Sequence, residues 1–189
     1  MLTISAAMRT TSSASLPAGS GARVARIISG GQTGADRAAL DFAIAAGVPY
    51  GGWVPRGGWA EDHVESPGLL QRYPHLVAAE SDDPLVRSRL NVKDADATVV
   101  VRLGPARSPG TSATWRAAQL LDRPLLDVDL LEQRPTEALH AFLRGFNSLI
   151  VLNVAGPRES ESPGLYRATY AFLEAHAGLF QASPTNSVT

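Results

Sequence analysis

The stretch VARIISGGQTGADR, residues 24–37, decides the fold, because it joins a β-branched run to a glycine-rich turn and then to a segment of helical period. Residues 24–29 predict a strand. Beyond Gly34, one helix face carries Leu40, Ala43, Ile44 and Gly47 at i, i+3, i+4 and i+7. Gly47 and Pro49 then end the helix in the usual order, with glycine just past the last turn and proline beyond it.

The same alternation continues along the chain. Further strands are predicted at 50–54, 76–79, 97–101, 125–128 and 149–154. Helices are predicted from Asp83-Pro84 to Val92, through Ala113, Ala117, Leu120 and Leu121, over 136–144, and after Ser162-Pro163, where Ser162 is expected as the N-cap. Strands that alternate with helices predict an α/β fold with a mostly parallel sheet and helices on both faces.

Composition excludes several classes of protein. The chain has 189 residues, with 17 Lys+Arg and 18 Asp+Glu for a net charge of −1, so bulk positive charge does not recruit it to nucleic acid. It has no Cys, which excludes disulfides, thiolate nucleophiles, cysteine-ligated zinc and iron–sulfur clusters. Any metal needs His, carboxylate or a ligand of its own, and no metal site is predicted. No apolar run approaches the ~20 residues that span a bilayer, so we expect a cytoplasmic protein that does not bind membranes.

The ends of the chain differ in composition from its middle. Residues 1–23 are rich in Ser, Thr, Ala and Gly without an acid, and residues 181–189 are polar. Such segments bury too little apolar area to order themselves. We therefore expect a flexible N-terminal tail at 1–23, a single domain at 24–180 and a C-terminal tail at 181–189.

The first glycine loop predicts an anion site. Between the first strand and helix lie Gly30, Gly31, Gln32, Thr33 and Gly34. Glycines let a phosphate approach the amides of a helix N-terminus, and a threonine adds a hydroxyl donor. The loop is neither the G-x-G-x-x-G dinucleotide motif nor a P-loop. The alternative is a glycine-rich turn that only allows tight packing.

Two charged residues follow this loop in the first helical turn. Asp36 is explained by the positive end of the helix dipole, whereas Arg37 is not. Arg37 is thus a candidate for a ligand phosphate or for a pair between subunits.

A second glycine loop follows the most apolar strand, over residues 104–114. Its candidate ligand-binding residues are Gly110, Thr111 and Thr114, although Thr111 or Ser108 also suits a plain N-cap. Two such loops face each other where the strand order of an open α/β sheet switches, which is where these sheets bind ligands.

A third loop, residues 55–62, follows the second strand. Arg56 is positioned to contact a phosphate, and Trp53 or Trp59 to stack on a planar ring. A solvated charge and a buried tryptophan are the alternative. After the last strand, Asn153 and Arg158 bracket a Gly-Pro turn that is expected at the same edge of the sheet.

Several of these segments together resemble the molybdenum carrier family. They are residues 28–41 (ISGGQTGADRAALD), 55–57 (PRG), 60–62 (AED), 91–92 (NV) and 152–158 (LNVAGPR). The resemblance covers roughly Arg26 to His176. It implies a Rossmann-like three-layer fold of the group that includes the lysine-decarboxylase-like (LOG) nucleotide proteins and the DNA-processing DprA proteins. It also implies binding of molybdenum cofactor, whose pterin carries a phosphate, a homo-oligomer (dimer or tetramer), and molybdoenzymes as partners.

The sequence departs from the phosphoribohydrolases of that wider group. Those enzymes share a loop of the form PGGxGTxxE, which carries a catalytic glutamate. In this sequence Thr114 occupies the position of that glutamate. Threonine cannot replace a carboxylate as an acid or base. The resemblance therefore favours a phosphate-ligand binding protein, a molybdenum cofactor carrier, over an enzyme.

Two alternatives stay open. One is an enzyme on a nucleotide or a nucleotide-like metabolite, with Asp36, Glu61 or Asp62 as its acid or base. The other is an interaction module whose glycine loops only shape the fold.

Overall fold

The computed structural model describes residues 23–105 and 108–182. Six strands form one all-parallel sheet: β1 Val24–Ile28, β2 Tyr50–Val54, β3 Leu76–Ala78, β4 Ala97–Arg102, β5 Leu125–Asp129 and β6 Ile150–Ala155. Six helices join them: α1 Ala35–Ala45, α2 Leu69–Arg72, α3 Pro84–Asp94, α4 Pro109–Leu120, α5 Pro135–Arg144 and α6 Leu165–Ala175. Two 3-10 turns lie at Arg56–Gly58 and Ala177–Leu179.

The strand order is β3-β2-β1-β6-β4-β5, so the last strand lies in the middle of the sheet. From β1 the chain moves outwards to β2 and β3, and from β4 it moves outwards in the opposite direction to β5. Connections that diverge in this way leave a crevice at the carboxyl ends of the central strands. The order therefore places β6 beneath the expected ligand site, between β1 and β4.

The sheet separates two unequal layers of helices. On one face α1, α5 and α6 enclose the main core, which includes Phe42, Val99, Leu139, Leu152 and Phe172. Burying each of these side chains contributes about 1.5–3 kcal/mol. On the other face α3 and α4 form a smaller apolar cluster of Val92, Ala117 and Ala118. The expected three-layer Rossmann-like α/β fold is confirmed.

The opposite face of the sheet is partly polar. Strand residues alternate between faces, and Val99 and Leu152 belong to the main core. Their neighbours Thr98 and Asn153 are buried and joined by a hydrogen bond from Asn153 Nδ2 to Thr98 Oγ1 of 3.2 Å. Asn153 is therefore part of the sheet interior and does not reach the edge predicted for it.

Predicted and observed strand ends agree within one residue, and α1 ends as expected, since Gly47 has φ +66°. The short α2 was not predicted. The last helix begins at Leu165 and Ser162 is not its N-cap. Instead the Glu159 carboxylate accepts hydrogen bonds from Gly164 N (2.5 Å) and Tyr166 N (2.8 Å), so a long-range cap replaces the expected one.

The two expected tails fall largely beyond the described residues. Residues 1–22 and 183–189 lie outside them. Arg23 already pairs with the fold, because Arg23 N donates to Leu179 O (2.7 Å) and Ile150 N donates to Arg23 O (3.0 Å). Among the described helices, none has the length and apolar character needed to cross a membrane.

Candidate functional site

A cavity of about 350 Å³ opens at the carboxyl ends of β1, β4 and β6, and we call it the switch-point cavity. Four segments line it: Gln32 and Asp36 after β1; Pro84, Leu85, Arg87 and Ser88 of α3; Ser108, Pro109, Gly110 and Thr114 of α4; and Ala155, Gly156, Arg158 and Glu161 at and after β6. The two glycine loops are brought together here, as the strand-order argument predicts.

Asp36 holds three of these segments together. It is 2% exposed, and its carboxylate lies 2.9 Å from Arg87 Nη1 and also accepts the backbone N–H groups of Gln32 and Gly156. Burial raises the pKa of Asp36 above its ordinary value, against the opposing effects of Arg87 and the backbone donors. Asp36 therefore joins the loops after β1 and β6 to α3.

The Arg37 side chain makes its hydrogen bonds within the fold. Nη1 and Nη2 each lie 2.9 Å from an oxygen of Asp62, and Nε and Nη2 donate to the Gly31 carbonyl at 3.2 and 3.1 Å. Burial opposes ionisation of Asp62, but the hydrogen bonds and charge of Arg37 lower its pKa to about 2, with help from His63. Because all three guanidinium nitrogens already donate within the fold, the phosphate contact predicted for Arg37 is replaced by a loop-to-loop ion pair.

The glycines of the first loop face the protein rather than the cavity. Gly31 has φ +69°, and a Cβ there would lie 2.8 Å from Leu69 Cδ1. Gly34 has φ +76°, and a Cβ there would lie 2.9 Å from Glu159 N. At Gly30 a Cβ would overlap the guanidinium of Arg87. These positions need glycine for close approach to neighbouring protein atoms, so the packing alternative accounts for them.

The two polar side chains of this loop, Thr33 and Gln32, also make hydrogen bonds within the fold. Thr33 Oγ1 donates to the Glu61 carboxylate and accepts from Glu159 N (3.1 Å), so its hydroxyl is used within the fold. Gln32 lines the cavity, and its Oε1 accepts from Thr33 N (3.1 Å) and Glu61 N (3.0 Å). Those two bonds direct the carbonyl end of Gln32 into the fold and leave its amide nitrogen for the cavity.

The second loop contributes the start of α4. Ser108 is the N-cap, since its Oγ accepts from Thr111 N (3.2 Å), and Thr111 is buried with its hydroxyl 3.0 Å from the same atom. Gly110 and Thr114 line the cavity. The nearest atom to a Cβ at Gly110 would be Ser108 Oγ at 3.8 Å, so this glycine leaves open space beside the helix N-terminus.

Arg158 is a further cation in the cavity wall. It lines the cavity, and it makes no salt bridge to a carboxylate of the described residues. Its guanidinium lies over the ring of Trp59, 5.4 Å from the centroid. The Arg158 backbone N–H donates to Glu161 (2.9 Å), which fixes the turn that presents the side chain.

Arg56 lies outside this cavity. It donates to the Glu80 carbonyl and lies 3.9 Å from Asp82, with 64% of its side chain exposed. It lines a second cavity of about 470 Å³ formed by Pro55, Arg56, Gly57, Trp59, Val64, Ser66, Asp82 and Pro84. Arg56 therefore lines a different cavity from Gly110 and Thr114, and its side chain is tied to the loop that follows β3.

Arg87 and Ser88 are cavity residues that the sequence reasoning missed. The signal existed: Asp83-Pro84 predicts a helix start, and a helix that follows a parallel strand starts at the carboxyl edge. What the sequence does not show is that Arg87 crosses to Asp36, 51 residues earlier in the chain. Within the described residues, no group of three or more His, Cys, Asp or Glu is placed to hold a metal ion.

The fold defines a Rossmann-like α/β protein with a cavity at its strand-order switch. The chain belongs to the circularly permutated YpsA SLOG family, which it matches over residues 27–177.

Among solved structures, the chain is similar to a protein from Syntrophus aciditrophicus SB named "Putative molybdenum carrier protein". The two are 38% identical, the match covers 81% of this chain and 94% of the other, and the TM-score is 0.72. The search of curated proteins found no match. The family and this neighbour support a ligand-binding role.

Proposed function

We propose that the protein binds a small phosphate-bearing ligand in the switch-point cavity. The observation that carries the proposal is Arg158, whose guanidinium makes no salt bridge within the described residues and lies in the wall of a cavity where α4 begins. A guanidinium presents the planar donor pattern that suits phosphate, and a helix N-terminus adds amides and a favourable dipole. Gly110 leaves room for an anion to approach that terminus.

The ligand that we propose is molybdenum cofactor, with the protein acting as its carrier. Support comes from the name of the similar Syntrophus protein and from the cavity volume of about 350 Å³, within the range of small-molecule sites. The chain has no Cys, so molybdenum would arrive on the sulfur ligands of its pterin rather than on protein thiolates. The residues present suit this task, which requires binding of the phosphate and the ring without direct ligation of the metal.

A binding role also agrees better than catalysis with the carboxylates. Of Asp36, Glu61 and Asp62, Asp36 lines the cavity, and its oxygens already accept from Arg87 and two backbone N–H groups. Burial opposes ionisation of Glu61, yet hydrogen bonds from Ser160 and Thr33 and the charge of Arg158 hold its pKa below the ordinary value. Thr114 occupies the wall of the cavity as a neutral side chain. We therefore expect no release of adenine from AMP, measured by chromatography.

Calorimetry with ribose 5-phosphate tests the anion site. Arg158→Ala is expected to weaken binding by about tenfold to a hundredfold, since hydrogen bonds to charged groups contribute about 1.5–3 kcal/mol. Arg158→Lys should recover part of the loss, because a point charge replaces a planar fork. Arg134→Ala, an exposed arginine on α5's N-terminal side, is the matched control and should bind as wild type does. Equal affinities for wild type and Arg158→Ala, or no binding by either, would overturn the proposal.

Molybdenum analysis tests the identity of the ligand. Protein purified from its own host should carry pterin and molybdenum together, as seen by native mass spectrometry. A nucleotide without metal would instead favour the nucleotide-processing alternative.

A further inference from the structure

The second cavity adjoins the switch-point cavity. Pro84 lines both, and the Arg158 guanidinium of the first lies 5.4 Å from the ring centroid of Trp59, which lines the second. The contact between Arg158 and Trp59 therefore lies where the two spaces meet, at one edge of the sheet.

The walls of the second cavity differ from those of the first. Trp59, Val64, Pro55 and Pro84 give it flat apolar surface, with Ser66, Arg56 and Asp82 as its polar groups. Aromatic rings stack on tryptophan, and a few polar groups then fix the orientation of a ring. The first cavity offers Arg158, which makes no salt bridge within the described residues, and the start of α4, and both suit an anion. The two spaces thus suit the two different ends of one ligand.

Tight backbone packing forms the second cavity in advance. A Cβ at Gly58 would lie 3.1 Å from Leu69 N, and one at Gly68 would lie 2.7 Å from the Gly58 carbonyl carbon. Arg56 N donates to the Ser81 carbonyl (3.1 Å), and the Arg56 side chain donates to the Glu80 carbonyl. Three loops are thereby fixed against one another, so a ligand would lose little affinity to ordering them.

We propose that the second cavity holds a planar heterocycle of the same ligand, stacked on Trp59, while its phosphate lies on Arg158. The ligand class is then a phosphorylated ring of purine or pterin size. This inference rests on the proposed phosphate site and adds to it the ring subsite and its specificity residue, Trp59. Arg158 serves both subsites, because the guanidinium that meets the phosphate also lies on the tryptophan.

Three probes separate the two subsites: ribose 5-phosphate carries the anion, adenosine carries a ring, and AMP carries both. Trp59→Ala is expected to weaken AMP binding by about tenfold to a hundredfold, the range found for base–aromatic stacking, and to leave ribose 5-phosphate binding within about twofold. Trp59→Phe should restore most of the AMP affinity. Trp53→Phe, whose tryptophan donates to Asp94 away from both cavities, is the matched control and should bind all three probes as wild type does.

The results distinguish this inference from the proposed function. AMP and ribose 5-phosphate binding equally well to wild type, or AMP binding equally well to Trp59→Ala, would overturn the ring subsite and leave the phosphate site standing. Adenosine that binds in a Trp59-dependent manner, without any binding of ribose 5-phosphate, would keep the ring subsite and overturn the phosphate site. Failure of both AMP and adenosine to bind would overturn the ring subsite. So would an equal loss of AMP and ribose 5-phosphate affinity in Trp59→Ala at unchanged thermal stability.

Discussion

The loop after β1 and the segment after β6 lie side by side at the same edge of the sheet, yet their arginines differ in how far their guanidinium groups are paired within the fold. In the first, Arg37 has all three nitrogens engaged with Asp62 and the Gly31 carbonyl. In the second, Arg158 makes no salt bridge within the described residues and lines the cavity. Both segments combine arginine with glycine, so residue type alone does not separate them.

The two arginines differ in which groups of the fold already pair with their guanidinium charge. A buried guanidinium such as Arg37 must be paired, because an unpaired buried charge is strongly unfavourable, and the fold supplies its partners. Arg158 stands on an aromatic ring at a cavity wall, where solvent or a ligand completes its hydrogen bonds. The glycine motif after β1 thus shapes the cavity, and the turn after β6 places Arg158 in the cavity wall.

The largest predicted effect on stability concerns Arg87, which helps to hold the loops around the cavity together. Arg87→Ala leaves the carboxylate of Asp36 buried without its cation, which is expected to lower the free energy of unfolding by about 3–5 kcal/mol. Denaturant unfolding measures the change. Arg134→Ala, with 78% of the side chain exposed, should stay within about 0.5 kcal/mol of wild type. If Arg87→Ala were as stable as that control, Asp36 would not organise the cavity.

Two glycines test the same contrast between scaffold and site. Gly31→Val places a branched side chain at φ +69° against Leu69 and is expected to lower the free energy of unfolding by about 2–4 kcal/mol. Gly110→Ala adds a methyl group in open space within a helix and should change stability by less than about 1 kcal/mol, while it narrows the cavity. A stable Gly31→Val that loses only ligand affinity would return Gly31 to the binding site.

The fold was predictable because each strand and most helices carry their own local signals. The β-branched run of β4 and the glycine and proline that follow α1 act within a few residues. The order of the strands was not predictable in this way. Nothing in residues 150–155 shows that they insert between β1 and β4, since pairing in a sheet is decided by the whole arrangement of helices around it.

The site was predictable to the level of which loops meet, because carboxyl ends of parallel strands share an edge. The roles within those loops depended on partners far away in sequence: Arg37 on Asp62, Thr33 on Glu159, Asp36 on Arg87. These partners lie 25, 126 and 51 residues along the chain, beyond the reach of any spacing rule. Arg56 also has a distant partner, since its side chain donates to the Glu80 carbonyl.

A smaller effect on ligand binding is expected for Arg56 than for Arg158. Arg56→Ala should weaken ribose 5-phosphate binding by no more than a few-fold, because a largely solvated charge outside the switch-point cavity acts only at long range. That effect should vanish at high salt, whereas the loss in Arg158→Ala should persist. Calorimetry at two salt concentrations measures both. A salt-resistant tenfold loss in Arg56→Ala would place the phosphate in the second cavity.

The smallest predicted effect concerns the pH dependence of the Arg37–Asp62 pair. The pKa of Asp62 falls from 3.8 to about 2 in the folded protein, so its ionised form stabilises the fold above pH 3.8, and that stabilisation is lost as the pH falls towards about 2. Asp36 acts with the opposite sign, since burial raises its pKa and its contribution to stability falls as the pH rises above 3.8. A comparison of wild type with Asp62→Asn cancels Asp36 and isolates Asp62 with its two partners, Arg37 and His63.

The stability difference between wild type and Asp62→Asn should therefore be constant from neutral pH to about 5 and shrink between pH 4 and 2. Because 41% of the Asp62 side chain is exposed, the pH-dependent part should not exceed about 1 kcal/mol. Urea unfolding of both proteins at several pH values measures it. A difference that grows on acidification would mean that the Asp62 carboxyl is more easily protonated in the folded state, and that Arg37 does not hold it. In that case Arg37 would have donors available for a ligand, as Arg158 has, and the contrast between the two loops would disappear.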